Sequence, residues 1–298
     1  MGILQKKIFR DIARSKFRAS VIIVTVLISS ALIIGLNNAA VNAGESFKKT
    51  FNELNAYDIN ITTEFTSMTM VRELRESIVN VENIEARIFL KASLLGVEQN
   101  KDFNALWISI PGGRRPLVND IDLEIRGQGD YFSSPNDAEL LVNVQFAKAR
   151  SIDLGQILTI KYGSIKKQYV VKGIIVSPEY FYVVDEDTGI LEPMNLGVIF
   201  TPLELTQSLL EKPGMVNQFS IILNDQDRID DTVTAIHKFL MQKGVVVLDI
   251  VKRSESAETN TYETDVGALD DFAYAFGSII MIVAIVTIYN SVTKLIST

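Results

Sequence analysis

Two stretches without a single charged residue restrict what this chain can fold into. Residues 19–41 read ASVIIVTVLISSALIIGLNNAAV, and residues 272–291 read FAYAFGSIIMIVAIVTIYNS. A helix rises ~1.5 Å per residue, so about 20 residues match a hydrocarbon core of ~30 Å. Each stretch therefore reads as a membrane span. Asp270 and Asp271 flank the second stretch on one side and Lys294 on the other. Tyr274 and Tyr289 lie near its ends, where amphipathic rings favour the headgroup level. The mean hydropathy of +0.20, high for a soluble domain, follows from these two segments. Val41, Asn42 and Ala43 resemble a small-x-small cleavage site. The long basic region before the first apolar run, and the length of that run, favour a retained span over a signal peptide.

Charge gives the orientation. Lys6, Lys7, Arg10, Arg14, Lys16 and Arg18 stand against Asp11 alone, so the first 20 residues carry +5. With Lys294 also positive and the whole chain at −7, the residues between sum to −13. Basic flanks stay in the cytoplasm, so both ends are expected inside and the acidic middle outside. Ile3, Leu4, Ile8, Phe9, Ile12 and Phe17 recur at near-helical spacing among the basic residues. That pattern suits an amphipathic helix lying on the cytoplasmic face of the bilayer. The expected layout is an amphipathic helix over 1–18, spans over 19–41 and 272–291, an outer domain over 42–271, and a cytoplasmic end over 292–298. Small residues one turn apart (Ala31 with Gly35, Gly35 with Ala39, Ala273 with Gly277) would let helix backbones approach in lipid.

The middle region predicts an α+β domain, strand-rich with few helices. Strands are expected in YDINIT, IEARIFLKASLLGV, FNALWISI, LEIRG, AELLVN, ILTIKYG, QYVVKGIIV and NQFSIILN, with VVVLDIV as a buried strand. Helices are expected in MVRELRESIVN behind Ser67 as cap, in VQFAKARS, in LELTQSLLEK, and from Asp227 or Asp230 to Lys243, with Gly244 closing the last. The order of elements suggests two subdomains, the second inserted in a discontinuous first (near 57–82 and 215–252). The segments 44–54 and 254–271 lack strand signals and would extend the spans outward as a helical stalk.

The sequence yields no catalytic, cofactor-binding or metal-ligating assignment. It has no phosphate loop, no HExxH and no GxSxG elbow. Absent cysteine excludes disulfides and thiolate zinc sites, and His237 is the only imidazole. Gly112, Gly113, Arg114 and Arg115 lie between Pro111 and Pro116 and read as a turn rather than an anion cradle. Asp225, Asp227, Asp230 and Asp231 lack the glycine and terminal glutamate of a calcium loop, so capping explains them better. Asp185, Glu186 and Asp187 read as an exposed loop tip. Asn60-Ile61-Thr62 fits a glycosylation acceptor, a triplet common by chance. The acidic outer region argues against nucleic acid as a partner.

The run AELLVNVQFAKARSIDLGQILTI followed by YVVKGIIVSPEYFYVV resembles a stretch of the permeases of MacB/FtsX/LolC-type ABC transporters. The positions that carry the resemblance are Ala147, Leu154, Gly155, Val171, Gly173, Ser177, Pro178 and Tyr180. The second apolar segment, MIVAIVTIYNSVTKLIST, is similar to the family's first FtsX-domain helix. The resemblance implies an outer core of two subdomains on a helical stalk in the cell membrane. It also implies a separate cytoplasmic ABC ATPase that drives the outer domain by mechanotransmission, so the chain itself is not expected to be an enzyme. A homodimer or pairing with a second permease is implied, as is an extracytoplasmic protein partner. Family members continue with a basic coupling helix and two further spans, which the 298 residues lack, so an excised fragment, a mis-called gene or one half of a split permease is expected. A two-span ligand sensor and a plain anchored domain are the alternatives. The second span has a direct test: Ile282→Arg, at mid-span, should cost ~2.5–3.5 kcal/mol of insertion free energy. A glycosylation-tag insertion assay in which this variant integrates like the parent would remove the span.

Overall fold

The computed structural model describes residues 16–185 and 190–296. Residues 1–15 of the expected amphipathic helix, and Glu186 and Asp187 of the acidic tip, lie outside them. The chain divides into a helical unit, from residues 1–48 and 263–298, and a sheet unit over residues 49–262.

Helix α1 spans Lys16–Glu53 and helix α6 spans Ala257–Ile296. Each has the length and apolar composition of a membrane-crossing helix. Apolar side chains at Ile23, Leu27, Ile34, Ile279, Ile282 and Ile285 are exposed, which in water would be costly and in lipid is not. Within the helical unit Ala273, Ala284 and Ala40 are buried. A Cβ at Gly277 would meet the Ile33 side chain at 2.6 Å, so α6 is indented there to receive Ile33. Gly35 faces open space, so the predicted small-residue seam forms at Gly277 but not at Gly35. The helices continue through 44–53 and from 257 onward, as the missing strand signals predicted.

The sheet unit is organised by β2, an 18-residue strand over Val81–Glu98. Its inward residues Ile84, Ala86, Ile88, Leu90 and Leu94 are buried at a spacing of two, as a pleated strand requires. Its first half pairs with β11 (Met215–Leu223), which pairs with β1 (Ile59–Ser67), which pairs with β12 (Val247–Lys252), all antiparallel. Helices α2 (Met70–Ser77) and α5 (Ile229–Gln242) add Met70 and Leu74, and Ile236 and Leu240, to the core built on this sheet.

The second half of β2 enters a closed ring. It pairs with β3 (Lys101–Ile110), and β3 pairs in parallel with β10 (Leu196–Pro202). The ring goes on through β5 (Glu139–Asn143) to β7 (Ile165–Ile175), then to β6 (Ile157–Tyr162), which pairs back to β2. Leu94, Trp107, Ile199, Leu140, Val171, Leu158 and Ile160 share the inward face and continue the core under α2 and α5. Helix α3 (Val144–Arg150) sets Phe146 edge-on to Phe103, with ring centroids 5.6 Å apart. Helix α4 is Leu203–Leu209. The short strands β4 (Gln128–Gly129), β8 (Val184–Asp185) and β9 (Ile190–Leu191) complete the set. A second core covers part of the ring's outer wall, where Leu106, Ile108, Val198 and Phe200 pack under Ile121, Phe132, Tyr180 and Val183. The two halves thus share β2 and meet near Arg87 and Ile88, a few residues beyond the approximate bound near residue 82.

Three expectations are corrected. LEIRG is not a strand: Asp122 Oδ1 accepts the amides of Glu124 and Ile125, at 3.0 and 2.9 Å, and bends the chain. Ser67 ends β1 and Thr69 is the N-cap of α2, where the Ser67 hydroxyl accepts the Thr69 amide. VVVLDIV is an edge strand rather than a buried one. Its register against β1 shifts by one residue at Leu248, which is 62% exposed. Such a kink blunts an edge against further pairing. The helix seam supplies a measurable consequence. Gly277→Leu should overpack it by ~1–3 kcal/mol and lower the thermal midpoint in detergent. Ile33→Ala in the same chain should restore much of the loss, and Gly35→Leu should change little.

Candidate functional site

The outward face of β1, β11 and β2 carries polar residues where α2 and α5 do not cover it. Asn60, Ser220 and Glu85 form one cross-strand row, and Thr62, Gln218 and Arg87 form the next. All six are buried or nearly so. Their cover comes from the segment 112–121 and from the 3-10 turn Pro178–Tyr180.

Arg87 and Glu179 are the centre of this layer. Their side chains are 2% and 4% exposed and meet as a two-pronged pair at 2.5 and 2.6 Å. Arg87 Nε donates to Gln218 Oε1 at 2.7 Å, and Gln218 Nε2 donates to Thr62 Oγ1 at 3.0 Å. Asn60 Nδ2 donates to Glu179 Oε1 at 2.8 Å. Burial works against the Arg87 charge, and the adjoining Glu179 carboxylate outweighs it, so the guanidinium is held above its ordinary value. Beside this pair Glu85, 3% exposed, accepts both Arg114 terminal nitrogens at 2.9 Å and the Leu117 amide at 2.8 Å. Burial pushes the neighbouring Tyr57 phenol up, and the charges of Glu179 and Glu258 add to it. A cavity of about 220 Å³ opens beside the layer, bordered by Tyr57, Asn60, Thr62, Gln218 and Ser256.

A second cluster fixes the points where the chain enters and leaves the sheet unit. Asp58, at the start of β1, accepts the Leu223 amide at 2.9 Å and Gln226 Nε2 at 2.9 Å. Arg253 lies 3.2 Å from Asp58 Oδ1, and its guanidinium sits 5.5 Å from the Phe51 ring centroid. The Asn119 and Asp120 amides donate to Asn55 and Leu54 carbonyls, both at 2.8 Å. Asn119 Oδ1 in return accepts the Tyr57 amide at 2.8 Å. The end of α1, through Phe51, and the segment ahead of α6 therefore meet at Arg253, which pairs with Asp58 at the start of β1.

The positions singled out by sequence take structural places. Ala147 is buried on α3, which Asn143 caps by accepting the Gln145 amide. Gly155 adopts φ +81 in the turn before β6. Gly129 and Gly173 face each other across β4 and β7, and a Cβ at Gly129 would lie 2.4 Å from the Lys172 carbonyl oxygen. Pro178 starts the 3-10 turn that presents Glu179, and Tyr180 is buried beside it. Arg114 and Arg115 are engaged by Glu85 and Asp120, so the double-glycine segment is a turn and no anion cradle. Asp225 caps the short turn before α5 and Asp230 pairs with Lys252. His237 is exposed on α5, and the Asn60 amide points into the charge layer. Among the described residues no group of three or more His, Asp or Glu is placed to hold a metal ion. Arg87 and Glu179 escaped the sequence reading. The available signal was the pair Glu85 and Arg87 alternating with apolar residues in IEARIFL.

No protein-family model matches the chain, and no curated protein matches it. Three solved structures illustrate the folds to which it is similar. One is the extracellular domain of the noncanonic ABC-type transporter YknZ from Gram-positive bacteria, at 12% identity and a TM-score of 0.42, covering 65% of this chain and 99% of that one. Another is the periplasmic region of MacB from Actinobacillus actinomycetemcomitans, at 10% identity and a TM-score of 0.41, covering 74% and 98%. A third is a domain assigned to a permease protein from Porphyromonas gingivalis, at 13% identity and a TM-score of 0.38, covering 66% and 91%.

The charge layer makes a prediction about stability. Glu179→Ala strands a buried guanidinium and should cost about 3–5 kcal/mol in equilibrium unfolding. Replacing both partners by apolar residues, Arg87→Met with Glu179→Leu, should recover most of that loss. A single variant as stable as the parent would show that the pair is not the keystone of the layer.

Proposed function

We propose that this chain is a permease subunit of an ABC transporter of the MacB/FtsX type. It would couple ATP hydrolysis by a cytoplasmic partner to movement of an outer domain. The observation that carries the reading is that the end of α1 and the segment ahead of α6 are fixed to one sheet, with Arg253 pairing with Asp58 and lying over the Phe51 ring. The run from Ala138 to Val184, with its resemblance to the family, adds support. In this reading residues 19–41 and 272–291 span the cell membrane. The basic N-terminal residues stay in the cytoplasm and the sheet unit lies outside.

The sheet unit suits a transmitter. Its core is continuous from the open sheet into the ring, and Arg87 with Glu179 fastens the ring's 3-10 turn to the open sheet. Within the sheet unit, a displacement at Arg253 would reach β1 through Asp58, and β11 would carry it to β2. ATP chemistry would remain with the partner, and the chain would pair with a second copy or with a second permease.

The competing reading, a two-span sensor, draws on the cavity beside the charge layer. Affinity purification of the full chain from its native membrane separates the two. Retention of a P-loop ATPase, with ATP altering the protease sensitivity of the sheet unit, is the expected result. A preparation without any ATPase, but with a tightly held small molecule, would replace the permease reading by the sensor.

A further inference from the structure

The outer wall of the ring is only partly covered. The second core ends near Leu106 and Leu196, and beyond it the wall of β2, β3 and β6 opens into a groove of about 550 Å³. Lys161, Ser93 and Asn104 form a cross-strand row along its floor, with Leu106, Leu196 and Tyr162 alongside. β6 is paired on both sides, to β2 and to β7, so the groove offers side chains rather than a free strand edge.

Lys161 stands directly opposite Lys166 across the hairpin of β6 and β7. Like charges directly opposite destabilise a strand pair. Both lysines are exposed, and no carboxylate pairs with either among the described residues. This uncompensated positive pair sits in a chain whose residues between the apolar stretches sum to −13. An energetically unfavourable pair on an otherwise acidic surface, bordering a half-apolar groove, has the chemistry of a recognition site.

We propose that this groove docks an acidic, partly apolar peptide segment of a partner protein. Carboxylates of the partner would meet Lys161 and Lys166, and apolar side chains would lie against the groove-facing edges of Leu106 and Leu196. The amides and hydroxyl of Asn104 and Ser93 would orient the segment between these two contacts. A free phosphate or an anionic headgroup would use the lysines but leave the apolar half of the groove unused. The site belongs to the sheet unit alone and stands whether or not an ATPase drives the chain.

The test uses the full chain in nanodiscs of neutral lipid and a fluorescent short peptide alternating glutamate and leucine. Saturable binding that weakens with salt is expected. Lys161→Thr with Lys166→Thr should weaken it about tenfold, while the thermal midpoint stays level or rises because the like-charge pair is gone. Lys238→Glu, an exposed charge on α5, should leave binding unchanged. The idea is overturned by equal binding to the parent and the double variant, or by equal binding of a glutamine–leucine peptide. It also fails if polyphosphate or anionic vesicles bind through these lysines while the peptide does not. A midpoint lowered by the Thr pair would assign the lysines a structural role instead.

Discussion

Everything in the sheet unit depends on one constraint, the period-two alternation held along β2 from Ile84 to Leu94. A strand has two faces and cannot exchange them without a kink. The face that lies under α2 and α5 therefore becomes the ring interior without interruption. The opposite face must solve three different problems in succession. Glu85 and Arg87 are covered by other segments and must be neutralised. Phe89 packs on the second core, and Lys91 is exposed. One strand thus writes a buried charge layer, an apolar patch and an open polar wall in consecutive outward positions.

The charge layer is an expensive way to hold two halves together. Burying an ion pair seldom gains much over apolar packing, because desolvation offsets the attraction. What it gives is orientation: the forked geometry of Arg87 on Glu179 is satisfied in one arrangement and poorly in any other. That selectivity, rather than added stability, is what the pair contributes. It places the 3-10 turn of the ring at a fixed position on the open sheet.

Much of this was legible in the sequence. The apolar stretches, the continuing helices and most strands followed from charge and alternation, and Gly244 closes α5 at φ +73 as its place after Lys243 predicts. What was missed is non-local. LEIRG alternates like a strand, but Asp122 captures its amides before any neighbour can. VVVLDIV is apolar but for Asp249, yet nothing in its composition reveals that β1 is its only strand partner among the described residues. The pairing of β6 with β2 closes the ring across more than 60 residues of sequence, and Arg87 finds Glu179 across 92. Local pattern carries no information at those separations.

The place of β2 also has a temporal side. It emerges early in the chain, but its partners β6 and β11 come far later. Until they arrive, an 18-residue strand with an apolar face has only β3 beside it. Non-local pairings of this kind fold slowly and leave intermediates with exposed strand edges. A nascent chain of this design depends on something to shelter β2 during biosynthesis, and its vulnerable period ends only when β11 is made.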